Sequence, residues 1–163
     1  MKTVDLAKDI VSLCRKYKYE FNSTKIQKLL YLFLGFALMN DAIDEKNQFD
    51  ELPEAWPYGP VFKNVYDKYN SEIIKTPNDH NVNLDENLKK ILEKTVKEWG
   101  ELPAGRLSFW SHEEGGPWHQ IIKVQSEKFC TKIPADMIYN YFSENMENVL
   151  HNSNKGIISK LFN

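Results

Sequence analysis

The chain has 163 residues, 42% of them hydrophobic and 27% charged, with a formal net charge of -2. That length supports one compact core rather than two, and the composition excludes disordered and fibrous classes. With a near-neutral balance and no long Lys/Arg run, the electrostatic footprint of a nucleic-acid binder is missing, and no nucleic-acid partner is expected.

Asp5 and Asp9 interrupt what would be the apolar region of an export signal in MKTVDLAKDIVSLCRKYK, so the start does not read as one. The most apolar run, residues 29–39, covers only about half of the roughly 20 residues a membrane span needs. Cys14 and Cys130 lack C-x-x-C spacing and read as reduced thiols, Cys14 buried on the apolar side of a helix. The expectation is a cytoplasmic protein with no membrane association.

In chain order, Val4, Leu6, Ala7, Ile10, Val11, Leu13, Cys14 and Tyr17 fall near the 3.6-residue period, with Lys8, Asp9, Arg15 and Lys16 opposite. Thr3 is the expected N-cap of that amphipathic helix. The next helix, NSTKIQKLLYLFLGFALMND, has Thr24 and Gln27 at capping-box spacing and is apolar on nearly every face, as a helix in the middle of a bundle would be. Gly35 costs about 1 kcal/mol there relative to alanine, which predicts a close helix crossing at that position.

Residues 40–57 turn acidic and lose the helical period, predicting a loop with a short extended piece before Trp56. In EAWPYGPVFKNVYDKY, Gly59 is the expected cap and Pro60 the first residue of a short helix, with Val61, Val65, Tyr66 and Tyr69 along one face. Residues 76–83 form a loop. Leu84, Leu88, Ile91, Leu92, Thr95, Val96 and Trp99 predict a helix ending at Gly100 in the left-handed position. A shorter helix is expected over 103–112, a break at EEGGP, a restart at Pro117, and a final helix from Pro134 through Leu150 with Met137, Ile138, Tyr141, Phe142 and Met146 or Val149 inward. Residues 151–163 read as a loosely ordered tail. Strand signals are few and no linker divides the chain, so the fold class is mainly α, a single domain over 1–163.

Two clusters could carry function. In SHEEGGPWH, the side chains of His112, Glu113 and His119 are types used in metal-dependent hydrolysis, but the H-E-x-x-H spacing that places two imidazoles on one helix face is absent. Cys130 adds only a loose fourth candidate. No G-x-S-x-G elbow, P-loop or dinucleotide fingerprint occurs, so a small hydrolase stands as the alternative function, and no cofactor is implied. The other cluster, Trp56, Tyr58, Gly59, Pro60, Phe62 and Tyr66, offers the residue types that dominate protein interfaces and, equally, cores. Trp56 and Val61 are expected in the core, with Tyr58 open to either reading.

Three segments in this order, KIQKLLYLFLGFAL, EAWPYGPVFKNVY and LSFWSHEEGGPW, resemble the Panacea domain of SocA-like antitoxins, also seen in phage-associated proteins. The family pattern is met by Lys28, Leu29 and Tyr31, by Ala55, Trp56, Gly59, Pro60 and Val61, and by Ser111, His112 and Trp118. The match runs over about 23–142; EEGG before Pro117 is more glycine-rich than the pattern. The resemblance implies an antitoxin without catalysis, which neutralises a toxin encoded beside it by direct contact, in some members by delivery to an ATP-dependent protease. A phage protein that binds another host factor is the further alternative. No added DNA-binding domain is expected, and oligomeric state is left open. Trp56, Tyr58, Gly59, Pro60, Val61, Tyr66, His112 and Trp118 are the signature or partner-binding candidates. The signature positions are expected to hold the fold, with partner choice on loops 40–54 or 76–83, the acidic one suited to a basic partner.

Overall fold

The computed structural model describes residues 1–146. The expected tail at 151–163 and the inward position of Val149 lie outside them.

Helix α1 (Thr3–Lys16) starts one residue earlier than its expected cap allows. Lys2 occupies the N-cap, and Thr3 is buried inside the helix. Loop carboxylates take over the capping: the Thr3 N–H donates to Asp50 Oδ1 at 2.9 Å, and its hydroxyl donates to Glu51 Oε1 at 2.7 Å. Asp9, expected on the solvent side, is only 5% exposed. Its carboxylate receives the Val82 N–H on both oxygens at 3.0 Å and meets His80 Nδ1 at 2.6 Å, which ties down the loop ahead of the fourth helix.

Helix α2 (Ser23–Met39) is buried along almost its whole length and packs against helices from both ends of the chain. Its cap is Asn22, whose side chain accepts from the Lys25 N–H, so no Thr24–Gln27 capping box forms. Gln27 points inward and is engaged elsewhere. The close crossing expected at Gly35 is present: a Cβ there would overlap the Phe142 ring.

The short extended piece expected before Trp56 is strand β1 (Glu54–Trp56). The helix start expected at Gly59 and Pro60 is absent. Gly59–Val61 is instead strand β2, antiparallel to β1 with Trp56 opposite Gly59 and Ala55 opposite Pro60. Pro57 fixes a negative φ at the first turn position, which bars the turns that need positive φ there. Gly59, at φ +104, supplies the left-handed residue that closes such a hairpin. Helix α3 (Lys63–Lys68) begins only after Phe62, so Val61 lies on a strand, while Tyr66 turns outward and Val65 inward. A short 3-10 turn, Ile73–Lys75, leads into the loop that Asp9 holds.

Helix α4 (Glu86–Trp99) is capped by Asp85, whose side chain accepts from the Leu88 N–H. Gly100 is right-handed, at φ -66, rather than left-handed as expected. Its place is explained by packing, because a Cβ there would crowd the Tyr19 ring and the Val96 carbonyl. Helix α5 (Ala104–Ser111) and the break after it follow the sequence reading. Pro117 restarts the chain as α6 (Pro117–His119), which widens into a π-helical turn, Gln120–Val124. Strand β3 (Thr131–Lys132), unforeseen, pairs with β1 and gives a small sheet in the order β2-β1-β3.

Helix α7 is Ala135–Asn145, and Met146 after it is extended and 7% exposed; the expected run to Leu150 lies outside the described residues. It lays Ile138, Tyr141 and Phe142 on the core. The fold is thus largely α, as expected, with one small sheet on its flank. Among the described residues no helix is long and apolar enough to cross a membrane.

Candidate functional site

The hairpin has few backbone partners of its own beyond β1 and β3, and its tip reaches α5 and α6. Its carbonyls need donors from elsewhere. From below, the Gln27 amide grips Phe62 at both ends: its Oε1 accepts the Phe62 N–H at 2.8 Å, and its Nε2 donates to the Phe62 carbonyl at 3.1 Å. One residue on, Lys28 Nζ donates to the Pro60 carbonyl at 2.9 Å.

From the side, three side chains take consecutive carbonyls. Trp118 Nε1 donates to Trp56 at 2.7 Å, His112 Nε2 meets Pro57 at 2.9 Å, and Ser108 Oγ donates to Tyr58 at 2.9 Å. Five side chains, from α2, from α5 and its C-cap His112, and from α6, therefore hold the backbone from 56 to 62.

The interior of this clamp has no room to spare. At Gly59 a Cβ would collide with Ser111 Oγ and come within 2.9 Å of Lys28 Cε, so close approach and positive φ both demand glycine. Ser111 Oγ donates to the Ser108 carbonyl at 2.7 Å. Lys28 is 1% exposed, and burial away from any anionic partner pulls its ammonium down to about 7, far below the usual lysine range.

The candidate acid/base residues diverge. His112 faces carbonyl oxygens with both ring nitrogens, Ser108 at 2.6 Å and Pro57 at 2.9 Å, and its ring lies 4.1 Å from that of Trp118. A metal could reach either nitrogen only by displacing one of these carbonyls. Glu113 accepts the Tyr141 hydroxyl at 2.6 Å, while His119 Nδ1 accepts from the Gly115 N–H at 3.4 Å. Among the described residues no three His, Cys, Asp or Glu side chains are gathered as a metal-holding group. Both cysteines are free; burial pushes the Cys14 thiol up to about 11, and Cys130 is exposed.

The outward side of the hairpin is aromatic. Tyr58 at the tip is 76% exposed, and Phe109, next in sequence to the Ser108 that holds the Tyr58 carbonyl, is also 76% exposed. Tyr66 is 53% exposed and meets the Trp56 ring at 4.8 Å. Trp56, expected in the core, is only half buried. Along β1 the alternation sends Ala55 inward and Trp56 to the other face, where its indole N–H donates to Glu54 Oε2 at 2.8 Å. Val61 and Pro60 are buried, as Gly59 is.

Gln27, Ser108 and Phe109 join the site without having stood out in the sequence as site residues. For Gln27 a signal existed: an amide inside a helix apolar on every side must find buried partners. Nothing in the sequence marks Ser108 or Phe109.

This geometry defines a helical domain organised around a clamped β-hairpin with exposed rings at its tip. The family model described as antitoxin SocA-like, Panacea domain, matches residues 26–119, and the chain belongs to that family. That stretch contains all five clamp residues. No curated protein and no solved structure matches the chain.

Proposed function

We propose that the chain is an antitoxin-type binding protein of the cytoplasm that neutralises a toxin encoded beside it by direct protein contact, without chemistry of its own. Membership of the SocA-like antitoxin family supports this reading. The observation that carries it is the division of labour at the hairpin. Lys28, His112 and Trp118 turn their polar atoms onto the hairpin backbone, while Tyr58, Tyr66 and Phe109 stand outside it.

Rings held on a braced backbone lose little further entropy on docking, which is the property of a good protein contact. Delivery of the bound toxin to an ATP-dependent protease is a second route to the same outcome. The test is growth: the product of an adjacent gene arrests cells when expressed alone, and co-expression of this chain restores growth and co-purifies with it. Loss of the toxin from rescued cells, dependent on the protease, identifies the adaptor route. If no adjacent product is harmful and none co-purifies, the reading is wrong.

A further inference from the structure

We infer that the hairpin tip and its acidic surroundings form the contact face, and that it takes a basic protein surface bearing an apolar socket. The inference rests on the antitoxin reading above and adds the face and the chemistry of the partner. The aromatic part consists of Tyr58, Phe109 and Tyr66, with Trp56 half buried against Tyr66.

Carboxylates lie close to it in the fold and in the sequence. Glu54 sits on β1 and accepts from the Trp56 indole. Glu51 accepts the Asn64 N–H with both oxygens at 3.1 Å, at the foot of the helix that carries Tyr66. After His112, which holds the Pro57 carbonyl, come the exposed Glu113, which accepts the Tyr141 hydroxyl, and the exposed Glu114.

Of the cations nearby, Lys63 pairs with Asp67 at 2.6 Å, Lys132 stands opposite Glu54 in the sheet register, and Arg106 lies one turn before Phe109 on α5. Residues 40–57 as a whole carry six acidic side chains against Lys46 alone. A second copy of this chain is a poor occupant, because a two-fold contact would set this acidic rim against itself. A basic partner meets the rim favourably and places an apolar socket over the rings.

The test uses the full chain and the adjacent-gene product as probe, with growth rescue and affinity measured together. The double variant Tyr58→Ser with Phe109→Ser is expected to weaken binding by about 30-fold or more, the effect of losing a hot-spot side chain. The charge reversal Glu54→Lys with Glu114→Lys is expected to slow association about tenfold at low salt and to flatten its salt dependence. Thermal melts establish that each variant is folded.

Wild-type rescue with undiminished binding by both folded variants overturns the face while leaving the antitoxin reading intact. Wild-type failure to bind or rescue overturns both. Self-association of the chain through this face, blocked by the double variant, overturns the basic-partner assignment.

Discussion

Two segments without helix, the hairpin at 54–62 and the loop at 76–84, are both fastened by side chains from helices, yet by different chemistry. The hairpin is held through neutral carbonyls, by an amide, a hydroxyl, an indole, an imidazole and one deeply buried lysine. The loop is held by charge. Asp9 binds His80 and the Val82 N–H, and Arg15 donates to the Thr76 carbonyl and, at 2.9 Å, to the Ile74 carbonyl. Ser12 adds a bond to the Asn78 carbonyl. The hairpin is thereby integral to the core, whereas the loop is latched onto its outside. A cleft of about 330 Å³ remains between the loop, α1 and α4, lined by Asp9, Ser12, Lys16, His80 and Glu93 among others.

The largest expected effect breaks the hairpin. Gln27→Leu keeps the apolar surroundings but strands the buried Phe62 N–H and carbonyl together, a loss of about 3 to 4 kcal/mol in denaturant unfolding at neutral pH. A loss under about 1 kcal/mol would mean that the hairpin is not held from α2.

Next, pH separates the two fastenings. The unfolded chain protonates Lys28 below its ordinary 10.5, while the folded chain does so only below about 7. Between these values the unfolded state holds the extra proton, so stability from this group rises with pH. The Lys28→Met variant lacks that contribution, and its difference from wild type should change by about 2 kcal/mol between about pH 7 and pH 9. Parallel pH profiles would show that the amine is not desolvated. At Asp9 the sign is opposite: burial raises its carboxyl above 3.8, so its contribution falls as pH rises through the window just above that value.

The smallest effect is local. Asp9→Asn weakens the latch by about 1 to 2 kcal/mol, and hydrogen exchange should quicken over residues 78–84 while the hairpin amides stay protected. Equal quickening in both segments would show that the latch is part of the core after all.

Where the sequence speaks clearly, it does so through local patterns. Apolar residues on every face of α2 place that helix at the centre, and Gly35 announces the crossing that Phe142 makes. The hairpin escapes such a reading because Gly59 and Pro60 suit a helix start as well as a turn, and local propensity cannot choose between them. Gln27 and Lys28, more than thirty positions earlier, decide the matter by capturing Pro60 and Phe62. Trp56 is misplaced for a related reason: whether a ring beside an alanine faces in or out depends on strand register, which only the pairing with β2 and β3 fixes. The role of Phe109 is illegible, since one exposed ring on a short helix carries no pattern.

The ring of Phe142 seated over Gly35 fastens α7 onto the central helix α2, on which α1 also packs. The family-matched stretch, 26–119, omits both α1 and α7, two of the helices that cover α2. Cut out alone it would keep α4 and α5 but leave the α1 and α7 sides of that oily rod bare and prone to aggregate. During synthesis the same helix must wait, already out of the ribosome, until α7 emerges to close over it, an interval in which a chaperone would be its natural cover.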